Sequence, residues 1–475
     1  MSRNKEKKTS AASVATKNDE DFRQYALNGP PTAVLLSTCM PLALFQALQS
    51  VFKLLDSLLA SHISADAVSA VACLSQITLM ITALGTGLAV GGCIRISEAY
   101  GRGDYETVRS RVATVYAVAT AVSVVVAAVL VPFAEPFLRL LGTPEALIRA
   151  GAGYFRVEIL TLVVNFFNTV YLAIERSRGH AKKIMWLNLV IVAVKLSLSA
   201  LFVYGLQGDV TMLAAASLIG QCLLLGYALW SMHTDDGAFR FQFGSIRLKK
   251  DTLGPILNLS YPVTAEKMLF AAGKVIVNAM SGQYGELTVG ALGVSNNIGG
   301  LTTSWHTGLT DGAAPLISQN RGAGKYRRTL QLYFRLLVLD VAIGAVGLLL
   351  VSRTLPWIAE VFASSQNNFD PEFRDMIVSI HSWEMLGYIT LGINSATIAL
   401  LLGYGRSRLT MLLNVARVFL YRVPVLWALQ HYTTMGAEAA GVTMMVSNVC
   451  TGLSAIVVAI PVVRRIRALA AQEES

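Results

Sequence analysis

The chain has 475 residues, 54% hydrophobic and 14% charged, with a mean hydropathy of +0.54 and a formal charge of +10. Soluble domains carry nearly twice that share of charge, so this composition excludes an ordinary soluble domain. The five cysteines (Cys39, Cys73, Cys93, Cys222 and Cys450) sit in apolar segments with no CxxC or Cys/His pairing, which argues against a disulfide framework or a structural zinc site.

In chain order, residues 1–31 are polar and basic and lack an apolar core before a small-residue cleavage site. They predict a mobile cytoplasmic tail and no cleaved signal peptide. Apolar runs then predict twelve membrane spans, at about 32–59, 66–94, 107–133, 150–175, 183–205, 210–232, 254–280, 287–315, 329–352, 375–402, 409–430 and 436–462. An even number puts both termini on one side. On the opposite side lie Arg139, Arg149, Arg353 and Arg374, whereas basic residues crowd the tails and loops of the first side. The positive-inside rule therefore predicts cytoplasmic termini. Expected domains are an N-lobe over 32–232, a basic cytoplasmic linker over 233–253, a C-lobe over 254–462 and a tail over 463–475. Charge spread over loops without interleaved stacking aromatics predicts no nucleic-acid partner.

The halves repeat. A shift of 221 aligns Pro41–Tyr105 with Pro262–Tyr326 without a gap, and sixteen of those 65 positions are identical, including Lys53/Lys274, Gly101/Gly322 and Gly103/Gly324. A shift of 226 pairs Glu158 with Glu384, Gly179 with Gly405 and Asn188 with Asn414. Six spans per repeat make the repeats parallel, as in transporters that alternate access around a site between two halves. The fold class predicted is an all-α membrane protein of twelve helices in two six-helix parallel pseudo-repeats around a central cavity. The glycines of "GTGLAVGG" (Gly85 to Gly92) predict close helix packing, because no Walker-type GK[ST] follows them.

Polar residues recur at helical spacing inside these apolar spans. Span 1 carries Gln46, Gln49, Lys53 and Asp56 on one face. Spans 4 and 5 carry Glu158, Asn165, Asn168, Asn188, Lys195 and Ser199; spans 7, 8 and 10 carry Glu266, Lys267, Lys274, Asn278, His306, His381 and Glu384. A charge facing lipid at mid-membrane costs ~2.5 kcal/mol or more, so these faces turn towards one another or a wet cavity. Asp56 has Lys53 and Lys195 as possible counter-ions. His306 and His381 read as satisfied packing residues ahead of proton relays.

Pro41 fifteen residues before Asp56, the turns "YGRGD" and "RGAGK", and "RVPV" (Arg422 to Val425) resemble the multidrug and toxic compound extrusion (MATE) family over about residues 33–462. The resemblance implies a cation-coupled exporter of amphipathic organic compounds. It also implies that Asp56 is the protonation or sodium site, and that Pro41, with Pro262 as its repeat counterpart, is a hinge. Span 5 departs from the prokaryotic pattern: "KLSLS" puts Lys195 and Ser199 where Asn-x-x-x-Asp would stand. Glu266 lies four residues after Pro262; a well-described branch keeps its glutamate a turn later, where Phe270 stands.

The expected function is therefore export coupled to protons ahead of sodium, with a small amphipathic molecule as cargo, the bilayer as surroundings, no resident cofactor and a monomeric state. The alternative is a flippase for an anionic lipid-linked substrate, suggested by Lys53, Lys195, Lys274, Arg417 and Arg422. An enzyme is disfavoured, since the chain holds no HExxH, nucleophile elbow or carboxylate pair at catalytic spacing.

Overall fold

The computed structural model describes residues 17–61, 65–140, 145–206, 210–235, 237–364 and 371–473; within these, the side chains of 17–18, 53–61, 65–77, 137–138, 140, 145–152, 210 and 286 are not described. The described residues are almost all helical, without a strand. The first half contains α1 (Lys17–Asn28), α2 (Pro31–Ser61), α3 (Ala65–Arg102), α4 (Tyr105–Leu130), α5 (Ala134–Leu140), α6 (Glu145–Ser177), α7 (Ala181–Ala200), a π-helical turn (Leu201–Gly205) and α8 (Val210–Thr234). The second contains α9 (Lys250–Ser281), α10 (Glu286–Gly322), α11 (Tyr326–Ser364), α12 (Pro371–Glu384), α13 (Tyr388–Gly403), α14 (Ser407–Ala416), a π-helical segment (Arg417–Arg422), α15 (Val423–Tyr432) and α16 (Glu438–Glu473).

Twelve spans follow from this order. Spans 1 to 6 are α2, α3, α4, α6, α7 and α8, and spans 7 to 9 are α9, α10 and α11. Span 10 joins α12 to α13, span 11 joins α14 to α15 through the π-helical segment, and span 12 is α16. Hydrocarbon leaves no partner for a free amide, so a chain crosses it as internally bonded helices or a closed barrel, and here the helices do so. Among the described residues ten helices are long and apolar enough to cross a membrane. Spans 7 and 8 are more polar, diluted by Glu266, Lys267 and Lys274 and by Asn296, Asn297, His306 and Asp311. Their faces are used for packing and polar contacts, as described below. Large apolar side chains such as Val125, Trp186, Leu349 and Trp357 stay exposed along the helices, as lipid contact requires.

The repeat reappears as backbone geometry. Gly103 and Gly324 both adopt φ +75°, and Gly179 and Gly405 adopt +80° and +73°. Each ends a helix in the left-handed region that favours glycine. After Gly103, Gly179 and Gly405 the next amide reaches back to the fifth preceding carbonyl (Asp104 to Ala99, His180 to Glu175, Arg406 to Leu401), closing a Schellman cap.

Two compact units emerge, one of Met1–Gly29, Val51–Lys267 and Ser318–Gly324, the other of Pro30–Ser50, Met268–Ile317 and Lys325–Ser475. Within the first unit a Cβ on Gly87 would lie 1.9 Å from Thr264 Oγ1, and one on Gly91 would lie 2.1 Å from Ser260 Oγ. Within the second, a Cβ on Gly308 would lie 2.3 Å from Ala43 Cα, and one on Gly312 would lie 2.9 Å from Cys39 Cα. All four contacts map onto one another under the shift of 221. The glycines of the "TGLAVG" and "TGLTDG" repeats thus work as helix-crossing surfaces, in agreement with the packing role expected of them.

The end of the N-terminal polar stretch forms α1, a difference from the mobile tail expected through residue 31. Asp19, Phe22, Arg23 and Ala26 recur at spacings of three and four, so one face docks onto the first unit. The Tyr100 hydroxyl donates to the Asp19 carbonyl, Arg23 Nε donates to Tyr100 O at 2.9 Å, and Phe22 sits on Gly179. Arg178 Nε pairs with Asp19 at 3.0 Å, and Arg178 also pairs with Asp235 and lies 4.9 Å over Phe239. Burial works against the Arg178 charge, but Asp19, Glu175 and Asp235 more than offset it and hold the guanidinium's pKa above its usual range. Burial likewise opposes the Glu20 carboxylate, yet hydrogen bonds from Tyr105, Gln24 and Arg23 keep its pKa below the usual carboxylate value.

Candidate functional site

In the second unit, α9 meets the π-helical segment of span 11 at Gly273, where a Cβ would lie 2.1 Å from Val418 Cγ1. That approach needs a residue without a side chain. It lays Phe270 and Lys274, one helical turn apart, against Arg417 and Arg422. Residues five apart diverge around an α-helix, whereas the wider π turn brings both guanidiniums round to one face. Lys274 Nζ, Arg417 Cζ and Arg422 Cζ lie 5.5, 5.6 and 5.7 Å from the Phe270 ring centroid.

The arginines bond to neutral groups. Arg417 donates to Asn448 Oδ1 at 2.7 Å, and Arg422 donates to Ser447 Oγ at 3.0 Å and to Asn448 Oδ1 at 3.4 Å. Arg417 Nε and Asn448 Nδ2 are buried with no hydrogen-bond partner among the described residues. Neither arginine forms an ion pair with the Glu384 carboxylate, which Ser295 and His381 engage instead. Centres this close to one centroid lie within about 11 Å of each other, so each pair repels by about 1.5 kcal/mol or more at an effective dielectric of ~20.

Further polar clusters lie in the same unit. Ser295 Oγ donates to Glu384 Oε2 at 2.6 Å and contacts His381 Nδ1 at 2.8 Å, while the Tyr388 hydroxyl contacts His381 Nε2 at 2.8 Å. His306 Nδ1 meets Asp340 Oδ1 at 2.7 Å, with both side chains buried. The two histidines are thus polar-network members rather than packing residues alone. Arg335, in the same helix as Asp340, turns instead to Thr32. Gln46 Nε2 donates to Asp311 Oδ2 at 3.3 Å, and Ser50 bonds to Ser304, so Gln46 of the span 1 stripe and its neighbour Ser50 face span 8.

The other expected positions fall as follows. The side chains of Asp56 and Lys53 lie outside the described residues. Gln49 and Lys195 are half-buried, and Ser199 is fully buried. Asn168 bridges span 4 to span 6 through Gln221 Oε1 at 2.7 Å, whereas Asn188 turns back onto its own helix at Ile184 O and Asn165 contacts Thr169. Pro41 and Pro262 lie inside the uninterrupted helices α2 and α9. Glu266 is buried in the first unit, while Lys274 and Asn278 are exposed in the second. Among the described residues, no three His, Cys, Asp or Glu side chains are placed to hold a metal ion.

Sequence reasoning passed over Asp311 and Asn448 and gave Phe270 no role of its own. Asp311 carried a usable signal, a carboxylate inside an apolar span. Phe270 and Asn448 carried none, because their meaning comes from what they touch.

The MatE family model matches residues 41–201 and 262–428. The probable multidrug resistance protein YoeA of Bacillus subtilis (strain 168) is 24% identical over 408 residues, covering 83% of this chain and 86% of that protein. The FAD transporter of Shewanella oneidensis is 22% identical over 442 residues, covering 91% and 95%. A solved structure described as the outward-facing conformation of a multidrug resistance MATE family transporter of the MOP superfamily superposes with a TM-score of 0.88 at 18% identity, covering 96% of this chain and 99% of that one.

Proposed function

The chain belongs to the MatE family, and we propose that it is an antiporter that exports small organic compounds by alternating access, driven by an inward proton gradient. The observation that carries this reading is the set of ionisable side chains buried within membrane-spanning helices, His306 with Asp340 and His381 with Glu384. Lipid penalises such groups, and a proton-exchanging carboxylate is the simplest device for coupling an ion gradient to a change of access. Asp56 is the coupling residue in this reading, with Pro41 and Pro262 as hinges. Protons are favoured over sodium because an ammonium, Lys195, replaces the expected polar ligand in span 5 and weakens a sodium cage.

A relative named as a multidrug resistance protein supports drug-like cargo, and one named as an FAD transporter widens the range to nucleotide-bearing compounds. A flippase for an anionic lipid-linked substrate is the second reading, favoured by Lys274, Arg417 and Arg422 around Phe270. The protein acts as a monomer in the cell membrane, with both termini cytoplasmic and loop 233–253 on the same side.

Purified protein in proteoliposomes tests the reading with rhodamine 6G and fluorescein, xanthene dyes of opposite charge. One of them is expected to move against its gradient when protons flow the other way, and not under a sodium gradient alone. Dye movement indifferent to either gradient would sink coupled export. For orientation, a cysteine placed at Lys249 is expected to resist an impermeant thiol reagent in sealed cells and to react after permeabilisation. Labelling from outside would invert the topology.

A further inference from the structure

We propose that Phe270, Arg417, Arg422 and Lys274 form a binding site for an organic anion, a planar ring bearing carboxylate or phosphate, and that this site sets the charge of the cargo. The proposal rests on the export reading, because it names the substrate class of that transporter.

The arginines carry the inference. Arg422 is 4% exposed, and Arg417 has a buried Nε with no partner among the described residues. A structural ion network would interleave carboxylates with these guanidiniums. Here their hydrogen bonds go to the neutral Ser447 and Asn448, and the Glu384 carboxylate is already engaged by Ser295. Each guanidinium has five N–H donors, most of which these bonds leave unspent. Positive charge retained in this way inside a membrane span has its natural complement in an anion, held by charge-assisted and, where geometry allows, bidentate bonds.

Phe270 adds selectivity for shape. Its ring is surrounded by three cations within 5.7 Å of its centroid, and a flat ligand can stack on phenyl or guanidinium planes. A cationic ligand would meet repulsion from both arginines, so the same residues select against it. Gly273 and the π-helical turn hold the array together, and neither is required for a simple membrane crossing.

Equilibrium binding of fluorescein and rhodamine 6G to the full-length protein in neutral detergent tests the site without any gradient. Wild type is expected to bind fluorescein at least ten-fold more tightly than rhodamine 6G. Arg417→Gln and Arg422→Gln are each expected to weaken fluorescein at least ten-fold and narrow the gap to rhodamine 6G. Arg422→Lys is expected to retain part of the affinity. If an arginine variant elutes as aggregate, Lys274→Gln and Phe270→Leu carry the test, each with an expected three-fold or greater loss for fluorescein. Equal binding of the two dyes by wild type, or undiminished fluorescein binding in every folded variant, overturns the proposal.

A carboxylate or phosphate presents the same chemistry on a soluble ring or a lipid headgroup. Displacement of fluorescein by phosphatidylglycerol, but not phosphatidylcholine, would support an anion site fed from lipid; displacement by flavin mononucleotide alone would support one fed from water. Arginine-dependent fluorescein binding without gradient-driven transport of either dye would refute coupled export and leave the site standing. Proton-driven transport of rhodamine 6G by protein that does not bind fluorescein would refute the site and leave export standing.

Discussion

Asp56→Asn is expected to abolish gradient-driven transport, by at least 100-fold, while leaving a folded, membrane-inserted protein. The amide keeps the shape and the hydrogen-bonding capacity of the carboxylate but cannot exchange a proton. Asp56 continues a helical stripe that begins with Gln46 and Gln49. Gln46 meets Asp311 of span 8 and the nearby Ser50 meets Ser304, so the described face of α2 serves polar contacts rather than lipid. An ionisable residue retained on such a face costs ~2.5 kcal/mol or more against hydrocarbon and reads as functional. The measurement is proton-driven dye flux in proteoliposomes at matched protein density, with equilibrium dye binding as the control for folding. Binding is expected to survive. Flux within two-fold of wild type would remove Asp56 from the coupling step.

The second large effect is structural. Gly308→Ala is expected to remove most of the monodisperse protein recovered in detergent, because the added Cβ would lie 2.3 Å from Ala43 Cα and 2.5 Å from Ala43 N. Those are backbone atoms of α2, so no rotamer change relieves the overlap and the two helices must separate. Overpacking of this kind costs about 3 kcal/mol when the surroundings yield only partly. Gly87, the repeat counterpart, faces Thr264 Oγ1, the end of a side chain, as its nearest neighbour, so Gly87→Ala should be milder. Gly226→Ala, which would meet nothing within 4 Å, is the control and should behave as wild type. Size-exclusion profiles and thermal midpoints of the three variants decide the matter. Normal recovery of Gly308→Ala would mean that this helix crossing is not tight.

Much of the architecture was legible from local properties. Apolar runs located twelve spans, although α11 of span 9 extends through Pro356 to Ser364, beyond the expected 352, because a proline inside a membrane helix does not have to end it. The repeat forecast by Gly103/Gly324 and Gly179/Gly405 became four left-handed helix ends. The polar tail departs from expectation at α1: its average composition reads as solvated, whereas docking depends on four side chains sharing one face.

Hydropathy, helical period and glycine turns are set by a residue's neighbours along the chain, so the membrane class, the repeat and the polar faces of the helices follow from the order of residues alone. Which polar groups meet was decided only by the tertiary structure. Nothing near Phe270 in sequence announces Arg417, Arg422 or Asn448. They converge because Gly273 admits Val418 and a π turn rotates two arginines onto one face. Likewise His306 found Asp340, and Asp340 did not pair with its helix neighbour Arg335, which reaches Thr32 instead. In hydrocarbon a buried polar group is costly without a partner, and the identity of that partner depends on which helix faces can approach closely enough, a property of two distant segments together.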